Sequence, residues 1–227
     1  MQHLKLLLTL ALTAFTIHLS AQALGPVTLE NGQIFCGFSA FPTGNGWLQV
    51  ESMIEDNPFT FQLPDILEWS FNVKKKQLEF LANADNYDTM IAISVQSVPE
   101  DAEWKDLVKA NEEWFCTCGD HDCDCELIKL AHCEASFFFD KQMVQRLDEI
   151  IWDKDEVINQ KTGEKTFEGP ICKTSIIHYG KLLFLVMARY KGTDKERRPD
   201  LEAIHDRIAN SIPQACAEQF EQLKNLK

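Results

Sequence analysis

Sulfur offers the most reactive chemistry in this chain. Four of its eight cysteines are crowded into Cys116-Thr117-Cys118-Gly119-Asp120-His121-Asp122-Cys123-Asp124-Cys125. The spacing, C-x-C-x4-C-x-C, is nearly mirror-symmetric about Asp120-His121. Three chemistries compete for it. In an oxidising compartment thiols pair. Gly119 to Asp122 is turn-forming sequence, so the flanks can fold back with Cys118 facing Cys123 and Cys116 facing Cys125. A bridge within one C-x-C is disfavoured by the separation and dihedral a disulfide requires. Bridges to Cys36, Cys133, Cys172 or Cys216 are equally permitted, so all eight cysteines are disulfide candidates and spacing does not choose the connectivity. Alternatively, the thiolates of Cys116, Cys118, Cys123 and Cys125, with His121 or His132 as a nitrogen donor, suit a soft ion, zinc or copper. Asp120, Asp122, Asp124 and Glu126 would draw a cation there, although zinc sites favour C-x2–4-C pairs. The third chemistry, thiol–disulfide exchange, wants a thiol beside positive charge, and here the neighbours are acidic. A calcium loop is excluded. Asp120, Asp122 and Asp124 open like one, but the scheme needs Gly at Cys125 and Glu at Ala131.

Elsewhere the reactive side chains are scattered. His178 lies on an expected strand with Ser175 three residues before it, but no G-x-S-x-G elbow or placed acid completes a triad. His205 stands beside Asp206 on an expected helix and reads as part of a solvated face. No phosphate loop, dinucleotide fingerprint or H-E-x-x-H occurs. These readings predict no catalytic residue and no resident cofactor, with zinc or copper as the alternative.

The amino terminus and the charge set the compartment and the partners. Lys5 precedes an apolar run from Leu6 to Ile17, and Ala21-Gln22-Ala23 follows as a small-residue cleavage site. Those are the three parts of a secretory leader in order, and the apolar run falls short of the ~20 residues needed to span a bilayer. Residues 1–23 are therefore read as a signal peptide and 24–227 as a single domain with a Cys-rich loop at 116–125. The expected location is periplasmic or secreted. The absence of an N-x-S/T sequon leans towards a bacterial envelope. A formal net charge of −13 argues against nucleic acid, whose phosphates demand a basic face, and leaves an unknown protein or small ligand as partner. No membrane span is expected after leader cleavage.

Periodicity supplies the elements. Short strands are expected over 27–30 and 33–38 about the Asn31-Gly32 turn, then over 47–53. Asn57-Pro58 and Leu63-Pro64 read as punctuation. Strands follow over 66–73, 77–82 and 90–98. Pro99 opens a helix over 101–115, on which Trp104, Leu107, Val108 and Asn111 recur at helical spacing. Residues 127–139 are ambiguous, ending like a strand. Residues 141–151 read as a helix capped by Asp140, because Met143, Val144, Leu147, Ile150 and Ile151 share a helical face. Trp152 to Glu156 reads as an exposed acidic loop. A meander over 165–168, 171–179 and 181–190 ends in a strand apolar at nearly every position, which should lie centrally. A helix from Asp200 aligns Leu201, Ile204, Ile208 and Ile212 and is expected to stop at Pro213, with a shorter one after it. The expected class is α+β, an antiparallel sheet covered by helices.

Two stretches resemble the PsbP-like fold family. Met90 to Pro99 resembles that family's strand entering its covering helix. Gly180 to Tyr190, with Asp200 to Ile204 and Ile208 to Ile212, resembles its closing strand and helix. The resemblance covers about half the mature chain. It implies an exported, mostly non-catalytic accessory or binding module; the cysteine cluster departs from it, and no functional residue carries over. The expected function is an exported non-enzymatic binding or accessory domain of the bacterial envelope. The alternatives are a metal-binding protein using the cluster, and an acidic immunity or inhibitor protein for a basic partner.

Overall fold

The computed structural model describes residues 27–28, 34–54, 57–67, 69–74, 77–85, 89–115, 126–139, 141–192 and 197–224. Among these lie twelve strands and two helices, so the fold is mostly β. The expected α+β class, with helices covering the sheet, is overturned. Strands β1 (Val27–Thr28), β2 (Ile34–Pro42), β3 (Trp47–Ile54) and β4 (Asn57–Pro64) form a four-stranded antiparallel meander. The remaining strands are β5 (Trp69–Lys74), β6 (Gln77–Asp85), β7 (Thr89–Ser97), β8 (Glu126–Phe139), β9 (Gln142–Ile158), β10 (Lys165–Glu168), β11 (Pro170–Tyr179) and β12 (Leu182–Lys191). They build an eight-stranded antiparallel sheet in the order β10-β9-β11-β12-β7-β6-β5, with β8 paired to the other side of β9.

The class failed mainly at β9. Val144, Ile150 and Trp152 belong to the core on one face of the large sheet, and Leu147 and Ile151 to the core on the other. A strand buried on both faces needs apolar side chains of both parities. Their sum, at 144, 147, 150 and 151, imitates helical spacing. The same strand absorbs the expected acidic loop: Asp153 is buried and Trp152 half-buried. Asp140, expected as a helix cap, lies outside the described residues.

The second miss was β4, whose prolines read as breaks. Pro58 and Pro64 are tolerated because β4 is the edge of the small sheet, where a missing N–H costs no ladder bond. Helix α2 (Pro199–Lys224) packs along that edge, and Gln62 N–H donates to Ser211 Oγ at 2.9 Å. The helix runs on through Pro213 rather than ending there.

Layers follow from the two cores. Small sheet and α2 cover one face of the large sheet, enclosing Phe59, Phe61, Phe80, Ile93, Phe184, Val186, Leu201 and Ile208. Across this interface Phe59 meets Phe184 edge-on, with centroids 5.9 Å apart, and Phe61 meets Phe80 at 5.1 Å. Helix α1 (Trp104–Phe115) lies against the other face, setting Trp104, Leu107 and Val108 on Leu147, Ile176, Leu183 and Leu185. Strand β12 is central and buried, as its unbroken apolar run requires.

Polar anchors set α2 in place. Tyr190 Oη donates to Glu202 at 2.5 Å, and Arg197 grips the same carboxylate with two nitrogens. That guanidinium hydrogen bond holds the Glu202 carboxyl below its ordinary range, with burial opposing. Lys173 Nζ lies 2.7 Å from Asp206. Burial raises the Asp206 carboxyl, but hydrogen bonds from His205 and Lys173 outweigh it and bring it to about 2. His205, expected on a solvated face, is fully buried, its Nε2 3.2 Å from the Val186 carbonyl.

Two measurements check this packing. Phe59→Ala should lower the unfolding free energy by about 3–5 kcal/mol, a buried aromatic removed at a sheet interface, read by urea denaturation. Because the folded Asp206 pKa is depressed, its stabilisation is complete above its ordinary 3.8 and is lost as pH falls towards about 2. Asp206→Asn should therefore flatten the stability curve through that window in an acid titration.

Candidate functional site

Glycine at one hairpin shapes a sizeable cavity. Gly180, between β11 and β12, has φ +60°, a conformation side chains avoid. A Cβ there would sit 3.3 Å from Gln142 Oε1. The tight turn brings Tyr179, Gly180, Lys181 and Leu182 to the start of β9 and to the Pro99 turn, where Val98 N–H donates to the Lys181 carbonyl at 2.9 Å. The result is a cavity of about 520 Å³ also lined by Asn57, Pro58, Glu100, Ala102, Gln142, Met143, Gln145 and His178. That volume suits a small-molecule site, typically about 300–1,000 Å³.

His178 is its titratable centre. It stands directly opposite Gln145 on β9 and Leu183 on β12. Its Nδ1 lies 3.2 Å from Gln145 Oε1, so the ring donates there, and Nε2 is left as a lone-pair acceptor. Nε2 is withdrawn from solvent and has no hydrogen-bond partner. Burial lowers the His178 pKa below its ordinary 6.5, with the Gly180 backbone opposing. The imidazole is therefore neutral near pH 7. A buried acceptor left unsatisfied costs about 1–3 kcal/mol. At the rim Lys181 and Glu100 form an exposed pair at 3.4 Å, of little energetic weight.

Ser175 does not join His178. The two have opposite parity on β11 and therefore face opposite sides of the sheet; Ser175 Oγ instead donates to Asp148, which also accepts from Arg146.

A second hollow, of about 370 Å³, lies between α1 and the β8–β9 ladder, lined by Trp104, Lys105, Val108, Lys109, Lys129, His132, Glu134, Leu147 and Glu149. Its floor is the buried Glu149 carboxylate, met at 2.7 Å by both Lys129 Nζ and His132 Nδ1. Pairing is what makes a buried carboxylate tolerable. Trp104 Nε1–H donates to Glu134 at 2.5 Å.

The cysteine readings meet the structure only in part. Cys116, Cys118, His121, Cys123 and Cys125 lie outside the described residues, and of the Cys36 and Cys216 side chains nothing is described. Cys133 and Cys172 are free thiols, the first exposed and the second buried. Cys133 pairs across to Asp148 and Cys172 to Ile151, positions of opposite parity on β9, so the two face opposite sides of the sheet and cannot bridge each other. Burial pushes the Cys172 thiol up to about 11, which keeps it protonated and inert. Among the described residues no group of three or more His, Cys, Asp or Glu could hold a metal ion. Among the same residues no helix is long and apolar enough to cross a membrane.

No protein-family model matches this chain, and no curated protein matches it.

A titration tests the state of the site. In a histidine NMR titration, the His178 ring should change protonation below pH 6.5, and its assignment should vanish in His178→Gln. Since the folded pKa is the lower one, His178 contributes no penalty above 6.5 and destabilises progressively as pH falls below it.

Proposed function

We propose that the protein is an exported, non-enzymatic binding domain of the bacterial envelope that holds a small, uncharged, hydroxyl- or amide-bearing ligand in the cavity at the Tyr179–Leu182 turn. The observation that carries this reading is the cavity itself, about 520 Å³, with the His178 ring and its Gln145 partner in the wall and burial holding the His178 pKa below its ordinary 6.5. The rest of the lining supports an uncharged ligand. Gln142, Gln145 and Asn57 offer amides, Pro58 and Met143 offer apolar contact, and the one cation–anion pair at the rim neutralises itself. Among the lining residues there is no serine, threonine or cysteine to act as a nucleophile, which supports binding over acyl transfer. Export rests on the leader at residues 1–23, and the accessory role on the resemblance of two stretches to PsbP-like domains.

Titration with neutral saccharides and short uncharged peptides, followed by the His178 ring resonances, tests the proposal. Binding should shift those resonances and should weaken about tenfold in His178→Phe, which removes the polar ring and its Gln145 contact from the cavity wall. A panel that leaves His178 unmoved, or binding equally strong to the Phe variant, refutes the assignment.

A further inference from the structure

Strand β8 is the longest exposed feature of the large sheet. It spans Glu126–Phe139, pairs with β9 on one side, and has no strand on its other side among the described residues. Residues 131–138 are all exposed, with Phe138 at 72% and Phe137 at 38%. Proteins usually blunt such an edge with short length, lysines or bulges. Here a bulge falls between Lys129 and Ala131, which leaves the outer edge of Ala131–Phe139 regular and, among the described residues, without a strand beside it.

We propose that this edge pairs antiparallel with the same strand of a second copy, about a two-fold axis at Cys133, to join two large sheets into one. Symmetry limits the choice of register, and charge favours Cys133 over its two neighbours. A two-fold axis normal to a continuous sheet must keep each copy's faces on the same side, and because side chains alternate with period two, only registers centred on a residue do so. The carboxylate and imidazole on the regular segment are Glu134 and His132, which flank Cys133. Centring on Cys133 sets His132 opposite the partner's Glu134 twice. Centring on His132 or Glu134 sets each against its own copy, and like charges directly opposed are destabilising. Both side chains are preset for the contact. Nδ1 of His132 is engaged by Glu149 and Oε1 of Glu134 by Trp104, which leaves the His132 Nε2 and the second Glu134 oxygen for the partner. Phe138 then comes beside the partner's Ile128 and Phe137 beside the partner's Lys129, at the partner's bulge, covering apolar surface that is exposed in one copy. Cys133, at the axis, faces its own copy across the new ladder. Strand addition of this kind draws its affinity from main-chain hydrogen bonds and its register from the side chains.

Sedimentation of the full purified chain at micromolar concentration should show a dimer. Mild oxidation should yield a disulfide-linked dimer on a non-reducing gel, lost in Cys133→Ser. Cys133 is exposed, so Cys133→Arg keeps the folded monomer but opposes two like charges at the axis. It should raise the dimer dissociation constant about tenfold or more. His132→Glu should do the same, and His132→Glu combined with Glu134→His should restore the dimer by reversing the pair. A monomer at all concentrations overturns the proposal. So does a dimer indifferent to Cys133→Arg, which would place the interface elsewhere, or an edge that accepts only an unrelated strand peptide.

Discussion

Four phenylalanine rings hold the two sheets together. Phe59 and Phe61 leave adjacent inward positions of β4 and lock edge-on into Phe184 and Phe80 of the large sheet. The perpendicular geometry places ring edge against ring face, the arrangement that the aromatic quadrupole favours. As an edge strand carrying two prolines, β4 is laddered on one side only, to β3. Its position comes from these rings on one side and helix α2 on the other. Asn57 and Pro58, the part of the cavity wall that β4 contributes, are located by that contact.

Helix α2 shows how apolar and polar contacts divide the work. Leu201, Ile208, Ala209 and Ile212 are buried and supply the attraction, but a greasy stripe alone tolerates rotation and sliding. Glu202 between Tyr190 and Arg197, Asp206 on Lys173, His205 on the Val186 carbonyl, and Arg146 Nη1 on Asn210 at 2.6 Å admit one rotational setting. Each carboxylate has a cation within hydrogen-bond reach, so burial is offset by pairing rather than by neutralisation.

The sequence disclosed elements whose pattern had a single cause. The unbroken apolar run of β12 announced a strand covered on both faces, and helix α1 announced itself by a stripe with one periodicity, although it begins at Trp104 rather than Asp101. Where two causes overlapped, the pattern misled. Strand β9 serves two cores, so its two period-two sets summed to a false helical face, and that error moved the class from mostly β to α+β. Proline in β4 misleads for a related reason: its meaning depends on whether an N–H is needed at that position of the ladder, which the edge placement decides. Of the candidate site, His178 was visible as a strand histidine, but its cavity was not. The lining comes from β4, the Pro99 turn, the start of β9 and the β11–β12 hairpin, and no local pattern joins residues so far apart.

Neutrality at the cavity and pairing under α1 have a common physical root. Both histidines stand on the α1 face of the large sheet, opposite a β9 residue, His178 on Gln145 and His132 on Glu149. The partner's chemistry decides what each ring can be. An amide accepts one N–H without demanding charge, so burial governs His178 and leaves a bare acceptor. A carboxylate buried beside His132 must be met by donors, and Lys129 joins the ring in meeting it. The β9 residue opposite each ring, amide at Gln145 and acid at Glu149, thus sets a lightly held imidazole apart from one tied into the ion cluster at the sheet edge.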